Sequence, residues 1–172
     1  IGVGAILLGF SSCKNTAPKK TIKAEAPAYK ISLAQWSINK MIREDKVSPY
    51  EFASIASNWG FEGLEYVSQL YTDVTKSDDP EAAIKIFIQK NNELSAKFGL
   101  KNILIMVDEE GNLATQNEEE RLIAIENHKK WINAAAAMGC HSIRINLFDE
   151  TDPELWKSYS KLSLIALSEY AL

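Results

Sequence analysis

Three glycines constrain the architecture most. Gly60, Gly99 and Gly139 recur at a spacing of roughly 40 residues, and the same short pattern comes after each. Gly60-Phe61-Glu62-Gly63-Leu64-Glu65-Tyr66-Val67, Gly99-Leu100-Lys101-Asn102-Ile103-Leu104-Ile105-Met106 and Gly139-Cys140-His141-Ser142-Ile143-Arg144-Ile145-Asn146 align position for position. Residues 128–146 show the unit most clearly. Trp131, Ile132, Ala135 and Met138 repeat at helical spacing. Gly139 then stands where a left-handed residue ends a helix, and residues 142–147 alternate polar and apolar with period two. An all-helical repeat could share that period, but the strand after each Gly argues for an alternating helix–strand array.

The two faces of the last strand differ. Ile143, Ile145 and Leu147 can pack under helices, whereas Ser142, Arg144 and Asn146 share the opposite face. Burying an unpaired charge is costly, so that side is either a polar cavity or a solvated edge.

Taken in order, residues 29–37 form the first strand. Ser48-Pro49-Tyr50-Glu51 opens a helix, with Ser48 as N-cap, Pro49 in the first turn and Glu51 completing a capping box. Its apolar stripe is Phe52, Ile55, Ala56 and Trp59. Residues 63–67 are the second strand and residues 68–78 a polar loop. Asp79-Pro80-Glu81 caps a helix whose stripe, Ile84, Phe87, Ile88, Leu94 and Phe98, is interrupted by Asn91. Residues 102–107 form the third strand. Asp108-Glu109-Glu110-Gly111-Asn112 is rich in turn formers. A third helix over 117–138 leads to the fourth strand. Thr151-Asp152-Pro153-Glu154 caps a fourth helix, with Leu155, Tyr159, Leu162, Ile165 and Leu167 among its apolar positions.

The order is β-α-β-α-β-α-β-α with no tight hairpin signal, so the strands are parallel with right-handed crossovers. An open doubly wound sheet or part of a (βα)8 barrel fits. Such a barrel needs about 250 residues, and this chain has 172. No stop signal precedes Leu172. The expectation is therefore an α/β fold: a parallel (βα)4 half of a (βα)8 TIM barrel, truncated after the fourth helix.

A composition of 46% hydrophobic and 24% charged residues is ordinary for a globular chain. The net charge of −4 offers no basic face to a nucleic-acid backbone. The two Cys and two His stand in no metal-ligand spacing, so neither a zinc nor a disulfide framework is expected. Residues 1–10 are apolar, uncharged and too short to span a bilayer. They suit the central region of a secretory signal; a buried N-terminal strand is the alternative. The missing Met and missing basic start suggest that the first residues are lost. Phe10-Ser11-Ser12-Cys13 resembles a bacterial lipoprotein lipobox. That resemblance implies cleavage before Cys13, lipid attachment to it, and anchoring in the bacterial cell envelope. The expected organisation is a signal at 1–13, a polar Lys/Pro/Ala-rich tether at 14–28, and the half-barrel at 29–172.

Chemistry is sparse. No Gly-rich phosphate loop comes after a strand; Gly60-x-x-Gly63 precedes one. Cys140, between a Gly stop and a strand, reads as a small buried residue. His141 lies at the N-terminal end of its strand, the stability face of a barrel, and reads as structural. His128 lies on a helix, exposed or beside a helix partner. Active sites in parallel α/β folds lie at the strands' C-terminal ends. The polar and aromatic residues there are Gln35, Trp36, Ser37 and Asn39; Glu65 and Tyr66; Asp108; and Arg144 and Asn146. Glu65 alternates with Leu64 and Tyr66, so it points inward with Arg144 and Asn146. One reading is a buried Glu65–Arg144 ion pair that only fills the interior; such pairs say little about stability. The other is that these groups orient a polyol. Trp36 is either core or a platform for substrate, and the acidic stretch at Asp108 reads as a solvated turn.

Ser32-Leu33-Ala34-Gln35-Trp36-Ser37, Asp108-Glu109-Glu110-Gly111-Asn112-Leu113, Glu126-Asn127-His128-Lys129-Lys130-Trp131 and residues 139–146 resemble the sugar phosphate isomerase/epimerase family. The resemblance runs from about Ile31 to the end. It implies a xylose-isomerase-like (βα)8 barrel with a divalent metal, Mn²⁺ or Mg²⁺, held by Glu, Asp and His. It also implies proton transfer beside the carbonyl of a ketose or aldose. Enediolate formation needs a positioned base and a cation or donor for the oxyanion. The family's first metal Glu comes after the fourth helix, so no residue here is assigned as a metal ligand or catalytic group.

Three functions are compatible with these features. The first is an exported isomerase or epimerase, with Trp36, Glu65, Arg144 and Asn146 contacting a small sugar and the metal expected only in the full-length protein. The second is a non-catalytic carbohydrate-binding lipoprotein on the same barrel. The third, a metal-dependent abasic-site endonuclease, is disfavoured by the acidic charge and the export signal.

Overall fold

The computed structural model describes residues 29–172. The expected signal, Cys13 and the tether lie outside the described residues. Four strands, β1 (Ser32–Ala34), β2 (Gly63–Val67), β3 (Lys101–Met106) and β4 (Ser142–Arg144), form one parallel sheet in sequence order. The principal helices are α1 (Phe52–Asn58), α2 (Pro80–Phe98), α3 (Glu118–Ala137) and α4 (Pro153–Ala171).

Helix boundaries are set by local chemistry. The Ser48 hydroxyl accepts from the Tyr50 amide at 3.3 Å, and the Glu51 carboxylate accepts from the Ser48 amide at 3.2 Å. Asp79, Asn117 and Asp152 accept N-terminal amides of α2, α3 and α4, satisfying donors that have no partner within the helix. Gly60, Gly99 and Gly139 take φ of 83°, 67° and 71°, the left-handed region expected of the three recurring stops.

The helices cover one face of the sheet. Leu64 and Tyr66 of β2 and Ile105 of β3 are at most 1% exposed and pack with Phe52, Phe87 and Trp131 from α1, α2 and α3. Edge-to-face contacts link Phe52–Tyr66, Tyr66–Phe87, Tyr71–Phe87 and Phe87–Trp131, at centroid separations of 5.7, 6.2, 4.7 and 5.5 Å. Each adds about 0.5–1.5 kcal/mol beyond area burial. Helices on one face, with strands in sequence order, exclude the doubly wound sheet. The fold is a parallel (βα)4 unit, half of a TIM barrel.

The opposite face is the barrel interior. Glu65 pairs in register with Leu104, Leu104 with Ser142, and Met106 with Arg144. Strand neighbours in register share a face, so Glu65 and Arg144 both point inward, opposite Ile143. Ile103 is an extra residue between the pairs Leu64–Asn102 and Glu65–Leu104, a bulge that re-aims the later residues of β3.

Four local expectations change. β1 is only three residues long, because Gln35–Ile38 winds into a 3-10 turn. Gln35, fully buried, draws that turn inward. Its amide donates to the Tyr71 hydroxyl and the Pro49 carbonyl, and its oxygen accepts from the Val67 amide at 3.0 Å. The stretch 68–78 is more than a polar loop: it holds two short helical turns, with Leu70, Tyr71 and Val74 buried. Trp59 is 54% exposed, since α1 ends before turning it inward. On α4, Leu155, Leu162 and Ile165 are exposed and only Leu167 of the expected stripe is buried.

Candidate functional site

The strands' C-terminal ends carry one connected array of side chains. Trp36 comes just after β1, and the Arg43 guanidinium lies 5.1 Å from its ring centroid. Arg43 also donates to the Gln69 side-chain oxygen at 2.7 Å. Gln69, just after β2, donates to the Asp108 carboxylate at 3.2 Å. Asp108, the second residue after β3, also accepts from Arg144 at 3.3 and 3.4 Å and from the Asn146 amide. Arg144 donates to the Asn146 oxygen at 3.1 Å. Every strand thus contributes to one chain of polar contacts, and Asp108 is its hub.

Asp108 is held from behind. Its backbone exchanges two hydrogen bonds with the buried Ser68 hydroxyl, at 2.9 and 3.1 Å. The loop beyond it is tied to α3. Glu110 accepts from the Trp131 indole at 2.6 Å and from Lys130 at 2.8 Å. Gly111 has φ 97°, and a Cβ there would lie 2.9 Å from the Ala124 Cβ, so no larger residue permits this approach. Glu109 takes φ 64° without being Gly, a strained conformation of the kind that gathers at functional sites. The acidic stretch is therefore not a solvated turn: Glu110 is 8% exposed and the Asp108 side chain 13%.

These groups border a cavity of about 440 Å³. Trp36 and Phe148 give it aromatic walls, and Asp108, Asn112, His128 and Asn146 give it polar ones. Arg144 is not on that wall. It stands at the rim, with its side chain 47% exposed, and touches the cavity through Asp108 and Asn146. A half-exposed ion pair contributes at most about 1 kcal/mol to stability, so this one acts mainly on geometry.

The expected site residues separate accordingly. Trp36, Arg144 and Asn146 come together. Glu65 does not join them: its carboxylate accepts from the Ser32 hydroxyl across β1 and β2. The Glu65–Arg144 ion pair is not formed, because Asp108 lies nearer the guanidinium. Asp108 stands at the strand ends as the sequence placed it, but as the hub of the array rather than as part of a solvated turn. His128 lies on α3, as expected, but it is 2% exposed, which removes the exposed alternative. His141 is exposed at the foot of β4, where its amide donates to the Ile103 carbonyl at 3.1 Å. Burial pushes the Cys140 thiol up to about 11, so it is not a nucleophile near neutrality.

The donor set does not suit a catalytic cation. Both Glu110 oxygens are taken by Trp131 and Lys130, and Asp108 is taken by Gln69, Arg144 and Asn146. No three His, Cys, Asp or Glu among the described residues are placed to hold one ion. A second cavity, about 330 Å³, lies at the foot of β4 against α3 and α4; Ile132, Ile143, Ile145 and Leu164 line it. It carries no carboxylate. No helix among the described residues is long and apolar enough to cross a membrane.

No family model and no curated protein matches the chain. Solved structures do. The 3-keto-D-glucoside 4-epimerase YcjR from E. coli superposes with a TM-score of 0.54 at 17% identity, over 72% of this chain and 47% of that one. D-psicose 3-epimerase, crystallised with D-fructose, gives a TM-score of 0.60 at 12% identity, over 83% of this chain and 48% of that one. The chain spans about half the length of either structure. At such identities the likeness is one of fold, and that fold is the half TIM barrel.

Proposed function

We propose that the protein is a sugar isomerase or epimerase of the barrel type, exported and anchored by lipid on Cys13, and that its described half binds and orients the sugar. The observation that carries this is the Trp36–Arg43–Gln69–Asp108–Asn146–Arg144 array around one cavity. Sugar hydroxyls both donate and accept. Asn146 and Asn112 do either, and Asp108 fixes Asn146 for that contact. Trp36 and Phe148 offer flat apolar faces to the C–H side of a pyranose or furanose ring, the usual mix of a small-ligand site. Arg144 holds Asp108 and Asn146 in place for this task. Glu65, on the inward face of β2, contacts the ligand from there. Cavity size favours a small sugar, and the two similar structures are named for sugars that carry a ketone. Proton transfer beside the carbonyl is assigned to the whole protein; no step is routed through the residues of this half or through a metal.

The test is titration with D-fructose, D-psicose and D-glucose, monitored by tryptophan fluorescence and by proton NMR in D₂O. Saturable binding with loss of the proton next to the carbonyl supports an epimerase. Saturable binding without exchange favours the second reading, a non-catalytic carbohydrate-binding lipoprotein. No binding of any of the three sugars contradicts both.

A further inference from the structure

His128 sits midway along α3, is 2% exposed, and lines the same cavity as Asp108 and Asn146. Its Nδ1 lies 2.7 Å from the Ala124 carbonyl oxygen, one turn back. A carbonyl only accepts, so Nδ1 carries the hydrogen, and Nε2 of the neutral ring is a bare lone pair. No described residue donates to Nε2. The one fully enclosed side-chain nitrogen or oxygen without a partner among the described residues is Ser160 Oγ, so Nε2 is not sealed, and the cavity that His128 lines is where a donor can reach it. An acceptor held in one tautomer, with its lone pair open to a polar cavity, lacks only a donor.

We propose that Nε2 of His128 accepts a hydrogen bond from a hydroxyl of the bound sugar. This rests on the sugar reading of the cavity and extends it: the ligand is gripped from α3 as well as from β3 and β4. The hydroxyl it meets is presented beneath the 108–112 loop, away from the Arg144 rim.

The surroundings keep the ring neutral. Burial lowers its pKa from the ordinary value, with Lys130 acting in the same direction, against the Ala124 hydrogen bond and Glu110. The other charges around the cavity are Asp108 and Glu109 from the β3–α3 loop, Arg144 from β4 behind Asp108, and Arg43 over Trp36. The imidazole is the side chain whose ordinary pKa lies between about pH 5 and pH 8, so a pH titration reads it.

Calorimetric titration with D-fructose decides it, on the unaltered protein and on His128→Gln and His128→Leu. Gln places an acceptor near the position of Nε2 and does not titrate; Leu removes it. At about pH 8 the Leu variant is expected to bind about tenfold more weakly, about 1.4 kcal/mol, and the Gln variant within about threefold of the unaltered protein. As pH falls from about 6.5 towards the lowered folded value, the unaltered protein should weaken as Nε2 protonates, and neither variant should do the same. Thermal melts of both variants exclude loss of the fold. Equal affinity of the Leu variant at pH 8, or the same pH dependence in all three proteins, overturns the proposal while the sugar reading stands. No binding by the unaltered protein overturns both.

Discussion

The two ends of the sheet are built to different standards. Beneath β2 and β3, Phe52, Tyr66, Tyr71, Phe87 and Trp131 interlock edge to face, each at most 1% exposed. Polar atoms there are paired: the Tyr66 hydroxyl donates to Asn102, which donates in turn to Asn92 and to the Met138 carbonyl. Beneath β4 the packing is thin. The strand is three residues long, α4 leaves Leu155, Leu162, Leu164 and Ile165 exposed, and Ser160 Oγ is buried without a partner among the described residues. The candidate site lies on the seam. Asp108 comes from the dense side, clamped through Ser68 and its loop, and Arg144 and Asn146 come from the loose side. The carboxylate is thus a fixed reference against which the donors of β4 are set.

The largest effect expected from this contrast is Trp131→Ala. It removes the ring at the end of the aromatic chain and orphans Glu110, a loss of about 3–5 kcal/mol in denaturant unfolding. Leu162→Ala on α4 should change stability by no more than about 0.5 kcal/mol. Similar losses at both positions would erase the distinction. A smaller loss, about 1–3 kcal/mol, is expected for Glu110→Ala, which strands the buried Trp131 indole donor and Lys130; Glu110→Gln keeps an acceptor for the indole and should recover much of it. Smaller still is acid sensitivity from His128. Its folded pKa lies below the unfolded value, so the unfolded chain binds a proton first as pH falls through about 6.5. The resulting stability is full above that pH and declines from there down to the lowered folded value. Urea midpoints of the unaltered protein and of His128→Gln should therefore converge or cross across that interval; a constant gap would contradict a buried, neutral imidazole.

The elements legible in the sequence were those decided by neighbours along the chain. Ser48 with Glu51, Asp79 before Pro80, and the three stop glycines needed only local chemistry, and β2 ran over the expected residues. The inward turn of Arg144 was legible because a strand's faces alternate with period two. What failed depended on distance in the chain. Asp108 reads as one acid in a solvated run until β2 supplies Ser68 and Gln69 and β4 supplies Arg144 and Asn146. A Glu65–Arg144 pair was one of two readings because both face inward, but facing a common interior does not set which groups meet. The α4 stripe has helical spacing, yet spacing does not say how much of a neighbour lies beneath it.

The central claim is that ligand meets the chain at the C-terminal ends of the strands, around Asp108, and not at their feet. Arg144 and His141 lie near opposite ends of β4, both exposed, so replacing each by Ala compares the two ends on one element. Isothermal titration with D-fructose should show Arg144→Ala weakened at least about tenfold and His141→Ala unchanged; equal losses, or the larger loss at His141, would contradict the account.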